Sequence, residues 1–241
     1  MDTVVPVGTW RTAGFRGPRR IDADAVAAAV DSAGCLVVAL ADGVGDTAGA
    51  ARAARIAAQA AVSVPAADGP SAALIAARRA VLAEPAAGDC VLVVAQPFGL
   101  GCRIAWVGDV RAYAWDGRTL LRLTTDHTLA QYVRDRGGVP APAMEHQVLT
   151  SVRTAAPAEY GLSSLSLPPR LLLTSDGVHK TLPHPVIAEI AGHAPDPAAA
   201  LVAAAREAGA RDNATALVVD LVVGNVQPPP TGPQPLMPAA A

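Results

Sequence analysis

Lysine is almost missing from this chain. Lys180 stands alone in 241 residues, and every other basic residue except the five histidines is arginine. Aromatic residues make up only 3%, so a core has to be filled by Val, Leu, Ile and the abundant Ala. The three cysteines, Cys35, Cys90 and Cys102, lie far apart with no CxxC pairing, which argues against zinc ribbons and disulfide frameworks and predicts buried free thiols. The histidines show no metal-ligand spacing. No uninterrupted apolar run reaches the roughly 18 residues of a membrane span. The N-terminal MDTVVPVGTW lacks a basic segment followed by a long apolar one, so no secretory signal is expected. A net charge of −2 gives no reason to expect a nucleic acid as partner. These absences predict a soluble, cytoplasmic and monomeric protein. Much Ala, Arg, Gly and Pro with so little Lys is the usage of a GC-rich bacterial genome.

What is present reads as strands in hairpins with helices between. Thr47 to Val62 and Ser71 to Ala83 carry helical signals, the second opened by Asp68-Gly69-Pro70. Shorter helices are predicted over Leu129 to Arg136, Pro185 to Ala191 and Pro197 to Ala208. Strands are predicted over Cys35 to Ala41, Cys90 to Gln96, Cys102 to Val107, Arg111 to Trp115, Leu120 to Thr124, Arg170 to Thr174 and Thr215 to Val222. Pro97 to Gly101 suggests a loose hairpin loop and Asp116-Gly117 a tighter one. Asp24 to Asp31 fits helix or strand equally well on its own pattern. Residues 126–165, punctuated by Pro and Gly, suggest a flap or loop region. Asn225 to Ala241 has the Pro-rich composition of a disordered tail, leaving residues 1–224 as a folded domain. Hairpins interleaved with helices favour an α+β fold of antiparallel sheets over a parallel βαβ sheet.

Four apolar strands end beside an aspartate. LVVALADGVGD delivers Asp42, RIAWVGDVRAY delivers Asp109, RLLLTSDGVH delivers Asp176, and Asp212 precedes the strand from Thr215. Each alone reads as a turn, because Asp and Gly are ordinary loop starters. Together they offer carboxylates from separate strands, with few His or Cys ligands, as hard divalent cations require. Two such ions about 4 Å apart can hold a water and lower its pKa for attack on a phosphoryl group.

With these motifs in order, the chain resembles the metal-dependent protein phosphatase family, the type 2C Ser/Thr phosphatases, in the compact bacterial form. The resemblance runs from about Gly8 to Val223 through RRIDADA, ADGVG, VGDVRAY, LTTDHT, VLT, LTSDGV and RDNAT. It implies two antiparallel sheets in a sandwich flanked by helices, and makes Ala25 to Val30 a strand. It also implies Mn²⁺ or Mg²⁺ as cofactor and phosphorylated proteins, substrates of Ser/Thr kinases, as partners. The reaction implied is hydrolysis of phosphoserine and phosphothreonine by a metal-activated water, without a covalent intermediate. By the same resemblance Asp42 bridges two metals and the carbonyl of Gly43 ligates one, with Asp176 and Asp212 completing the first shell. Asp109, with Asp176, matches the place of a third, weaker ion. Arg19 matches the phosphate clamp and Asp24 the residue that orients metal-bound water.

The chain departs from the family pattern at several points. Ala23 stands where a Glu or Gln is usual, which takes one ligand from the second metal. Asp46 replaces the last glycine of DGxGG and adds a negative charge near the site. Val44 leaves no histidine as general acid, and the acidic residue usual after SDG is replaced around His179-Lys180. His127 reads as structural. A non-catalytic module of the same fold is the alternative that Ala23 and Asp46 keep open. A haloacid dehalogenase type phosphatase is set aside. Its DxDx(T/V) aspartate has to follow a buried apolar strand, and Gly17-Pro18-Arg19-Arg20-Ile21 is not one.

Overall fold

Residues 4–225 are described by the computed structural model, and their ten strands form two five-stranded sheets in which every pairing is antiparallel. The first sheet has the order β1 (Val4–Phe15), β10 (Ala214–Asn225), β9 (Arg170–Thr174), β6 (Arg111–Trp115), β7 (Leu120–Arg122). The second has the order β2 (Asp24–Val30), β3 (Leu36–Gly43), β4 (Cys90–Phe98), β5 (Gly101–Val107), β8 (Gly161–Ser166). The sheets face each other. Helices α1 (Ala48–Val62) and α2 (Pro70–Ala83) cover the outside of the second sheet. On the outside of the first lie α4 (Asp176–His179), α5 (His184–His193) and α6 (Pro197–Glu207), while α3 (Leu129–Arg134) belongs to the segment after β7. This is the expected α+β sandwich of two antiparallel sheets flanked by helices.

Strand alternation builds three cores from continuous apolar runs. Leu36, Val38 and Leu40 of β3 point between the sheets, together with Val91 and Val93 of β4 and Leu171 and Leu173 of β9. The intervening Val37, Ala39 and Ala41, with Cys90, Leu92 and Val94, point to α1 and α2. A strand buried on both faces has no polar face to show, which is why these runs look unbroken in sequence. Alanines 53, 54, 57, 58 and 61 form most of the buried stripe of α1, so the helix packs on the sheet mainly through methyl groups, with Ile56 and Val62 beside them. Thr47 caps α1, its hydroxyl accepting from the Ala50 N–H at 3.1 Å. The three thiols are free and buried as expected, and burial pushes Cys102 up to about 12.

Several expectations are adjusted. Asp24 to Val30 is a strand, because it pairs residue for residue with β3. The hairpin at Pro97 to Gly101 is tight: Phe98 pairs with Gly101, so Gly99 and Leu100 alone make the turn. The helix predicted to Arg136 stops at Arg134, and the strand predicted to Thr124 stops at Arg122. The segment over residues 126–165 ends as strand β8, which pairs with β5 at the edge of the second sheet. Strand β10 runs through Asn225, and residues 226–241, where the Pro-rich tail was expected, lie outside the described residues. No helix among the described residues is long and apolar enough to cross a membrane.

The α1 stripe gives a direct test of this packing. Ala57 is fully buried against the second sheet. Ala57→Leu is expected to overpack this layer and cost about 1–3 kcal/mol, read as a lower urea midpoint at unchanged m-value.

Candidate active site

The four strand-end aspartates meet at one end of the sandwich. Asp42 closes β3, and Asp24 lies directly opposite it at the start of β2. Asp109 sits in the turn between β5 and β6, Asp176 opens α4 after β9, and Asp212 precedes β10. Asp42, Gly43, Asp109, Asp176, Asp212 and Arg19 line a single cleft of about 250 Å³, joined by Lys180, Asn213, His146 and Val148. Asp24 stands behind this lining, and its carboxylate accepts from the Ser175 hydroxyl at 2.7 Å.

Close backbone approach makes this geometry possible. A side chain at Gly43 would place its Cβ 2.7 Å from the Ala50 carbonyl oxygen and 2.9 Å from that of Ala23. The glycine after Asp42 therefore lets the first turn of α1 and the β2 entry close over the end of β3. At Gly177 a Cβ would fall 2.1 Å from the Asn213 carbonyl oxygen. That contact brings the Asp176 turn against the Asp212 turn.

Arg19 lies on the loop between β1 and β2, and this loop is fastened from two sides. The Asn213 amide donates to the carbonyls of Arg16 at 2.7 Å and Ile21 at 3.0 Å, while its oxygen accepts from the Ala23 N–H at 2.8 Å. The Asp46 carboxylate accepts from the N–H groups of Arg20 at 3.1 Å and Ile21 at 3.0 Å. Those backbone amides, helped by the neighbouring Arg20 guanidinium, hold Asp46 below the usual carboxylate range. Asp46 thus serves to clasp the Arg19 loop, a role its expected contribution of charge to the site did not include. The Arg19 guanidinium itself donates to Asp212.

Electrostatically, the cleft gathers five carboxylates against two cations, Arg19 and Lys180. Burial, followed by repulsion from Asp24, Asp176, Asp109 and Asp212, pushes Asp42 well above the ordinary aspartate value. Asp24 is raised to about 7, chiefly by burial, against hydrogen bonds from Ser175 and Thr215 that favour its charged form. Its second oxygen, Oδ1, is buried without a hydrogen-bond partner among the described residues. Asp109 is raised by burial despite the Lys180 ammonium beside it. Lys180 donates to Asp109 at 2.5 Å and to Asp176 at 3.1 Å. Arg19 and Lys180 are paired with these carboxylates, and among the described residues no three acidic, His or Cys groups already converge as a metal-binding set. The chemistry of the donor set still fits hard divalent cations at Asp42: all-oxygen ligands, uncompensated negative charge and an orphaned carboxylate oxygen.

Ala23 is buried against Ile21, Ala50 and Ala51, so an apolar contact with the first turn of α1 fills the position where a carboxylate is usual. Val44 is exposed at the cleft. His127, expected to be structural, has its Nδ1 paired with the Thr150 hydroxyl at 2.6 Å, and its backbone N–H donates to the Gly108 carbonyl at 2.9 Å beside the Asp109 turn. Nearby, Asp126 is buried and takes both Arg111 and Arg122. Asn213, Lys180 and Ser175 were missed as site residues in the sequence. Asn213 and Ser175 lie inside recognised motifs (RDNAT, LTSDGV), which was the available signal.

Solved structures with the same architecture are bacterial phosphatases. The catalytic domain of the serine/threonine protein phosphatase PstP, in complex with two manganese ions, is 27% identical with a TM-score of 0.73, covering 90% of this chain and 99% of that one. MsPP from Mycobacterium smegmatis, a PPM Ser-Thr phosphatase in complex with cacodylate, is 27% identical with a TM-score of 0.67, covering 88% and 97%. Stp1 from Staphylococcus aureus shares the fold at 18% identity, with a TM-score of 0.76 over 88% of this chain and 94% of that one. No family model and no curated protein matches the chain.

Two outcomes follow from the geometry. Asp24 and Asp42 keep their protons longer in the folded state than in the unfolded chain, so their contribution to stability is present below the unfolded value of 3.8 and is lost as pH rises through the folded values, about 7 for Asp24. In chelator, the melting temperature is expected to fall between pH 5 and pH 8, and Asp24→Asn to flatten that slope. Asn213→Ala strands the buried Ala23 N–H and is expected to cost about 1–3 kcal/mol in denaturant unfolding.

Proposed function

We propose that this chain, which belongs by fold and by the order of its aspartate motifs to the type 2C family of protein phosphatases, hydrolyses phosphoserine and phosphothreonine in proteins with the help of divalent cations. The observation that carries this reading is the convergence of Asp42, Asp109, Asp176, Asp212 and Arg19 on one cleft from five separate segments. The two 27% identical relatives are Ser/Thr phosphatases, and the manganese complex of one supports a pair of Mn²⁺ or Mg²⁺ ions here. Its partners would be phosphoproteins produced by Ser/Thr kinases.

Asp42 and the Gly43 carbonyl would hold the ions jointly, with Asp176 and Asp212 on the first of them. When bound, such ions lower the pKa of a water and draw charge off the phosphoryl oxygens. Asp24, facing Asp42 across the ladder and fixed by Ser175, would be placed to orient a water at this site. The Arg19 guanidinium, half-exposed at the cleft and anchored through the Asn213 and Asp46 contacts, offers a planar pair of donors to the phosphate. No Ser, Thr or Cys lines the cleft among the described residues, which favours direct attack by water over a phosphoenzyme on one of these side chains.

Hydrolysis of a small aryl phosphate and of a phosphothreonine peptide tests this directly. Activity is expected with Mn²⁺ or Mg²⁺ and none in excess chelator. Asp42→Ala should abolish it. Arg19→Ala should lower kcat/KM roughly 10²-fold, by the scale of a lost transition-state donor, in a protein that still binds Mn²⁺. Full activity in chelator would overturn the mechanism. An inactive Arg16→Ala beside an unimpaired Arg19→Ala would move the clamp.

A further inference from the structure

The chain's one lysine is in its most acidic place. Every other position that carries a fixed positive side-chain charge uses arginine. Lys180 follows α4, its backbone N–H donating to the Asp176 carbonyl at 2.8 Å. Its ammonium lies between Asp109 at 2.5 Å and Asp176 at 3.1 Å. The three side chains are 16%, 5% and 16% exposed, so the cluster is largely removed from solvent. The carboxylates come from different strand ends, the β5–β6 turn and the end of β9, and the lysine ties them together.

Chemistry explains the choice of lysine. An ammonium is a compact point charge with three tetrahedrally placed donors, whereas a guanidinium is a wide plane that matches a carboxylate edge. Only the first resembles a small metal ion in size and in the directions it offers. Elsewhere in the fold the guanidinium does what its shape suits, as at Asp126, which Arg111 meets through both Nε and Nη2.

We propose that Lys180 is a tethered cation that takes the place of an ion between Asp109 and Asp176, so that this site binds divalent cations around Asp42 and none at Asp109. The proposal rests on reading the cleft as a divalent-metal site, and it departs from the expectation of a third, weaker ion there. The ammonium neutralises the pair with a covalently attached charge that cannot be chelated or exchanged. It also repels a divalent ion that would enter between Asp109 and Asp176, while its contact with Asp176 is through Oδ2 and leaves Oδ1 to the ion at Asp42.

Mn²⁺ stoichiometry, measured by isothermal titration calorimetry on the full chain, tests the proposal. Lys180→Ala is expected to bind one more Mn²⁺ per chain than wild type. Lys180→Arg should keep the wild-type number, and Asp109→Ala added to Lys180→Ala should remove the extra ion. Equal stoichiometry in wild type and Lys180→Ala, both folded by circular dichroism, overturns the proposal. Wild type binding no Mn²⁺ overturns the phosphatase reading instead, while the difference between the two proteins still judges the lysine.

A second measurement needs no variant. Because the chain has one lysine, acetylation of its side-chain amine can be followed by mass spectrometry of a single peptide. Saturating Mn²⁺ should leave the rate of Lys180 modification unchanged within about twofold, since its amine stays committed to the two carboxylates. An increase of about tenfold or more would mean that metal expels the lysine, and would overturn the proposal.

Discussion

Repulsion among carboxylates is the constraint around which this protein is arranged. Two like unit charges about 4 Å apart cost about 4 kcal/mol at an effective dielectric of 20. Folding brings Asp24, Asp42, Asp109, Asp176 and Asp212 to one end of the sandwich, so the cost arises several times over. Each is met differently. Asp109 and Asp176 share the Lys180 ammonium, Asp212 takes Arg19, and Asp24 takes a hydroxyl from Ser175. Asp42, desolvated by burial and then surrounded by the other four, is pushed well above the ordinary aspartate value. A site under such tension attracts cations, and the rest of the fold supplies the rigidity that keeps the acids from moving apart.

That rigidity comes from strand pairing and from backbone contact. Asp24 and Asp42 occupy facing positions in one ladder and cannot separate without breaking it. The loops carrying Arg19 and Asp212 are held together by Asn213, which lies close to Asp212 in sequence and far from Arg16, Ile21 and Ala23. A single amide thereby fastens the loop of the Arg19 guanidinium to that of the Asp212 carboxylate.

Much of this was legible in the chain. The central strands announce themselves because burial on both faces makes them continuous apolar runs, and Asp42, Asp109 and Asp176 stand out by following one. The edges were harder. Strand β1, VVPVGTWRTAGF, carries a proline and two glycines and pairs on one side only, with β10. Strand β8, GLSSLS, alternates half-buried and exposed residues and likewise pairs on one side, with β5. Neither has the composition of a buried strand, and pairing with a stronger neighbour overrides their weak propensity. Lys180 was noted as the single lysine and as a departure from a motif, but not as a site residue, since its partner Asp109 lies 71 residues away. Asp46 read as an added charge because nothing in its local sequence shows the Arg20 and Ile21 amides that consume it. Ala23 read as a missing ligand, and only the fold reveals the alanines that pack against it.

The alanine-rich face of α1 has a mechanical meaning. Alanine has no side-chain rotamers, so burying it costs no side-chain entropy, but neither can the layer repack when pushed. A Leu-rich interface absorbs displacement by switching rotamers. Here most contacts are alanines, so the helix moves largely as a body. Its first turn lies against Gly43 through the Ala50 carbonyl, so the backbone beside Asp42 is backed by a stop without slack. Strain introduced at the far end of α1 would reach that glycine as a translation of the whole helix.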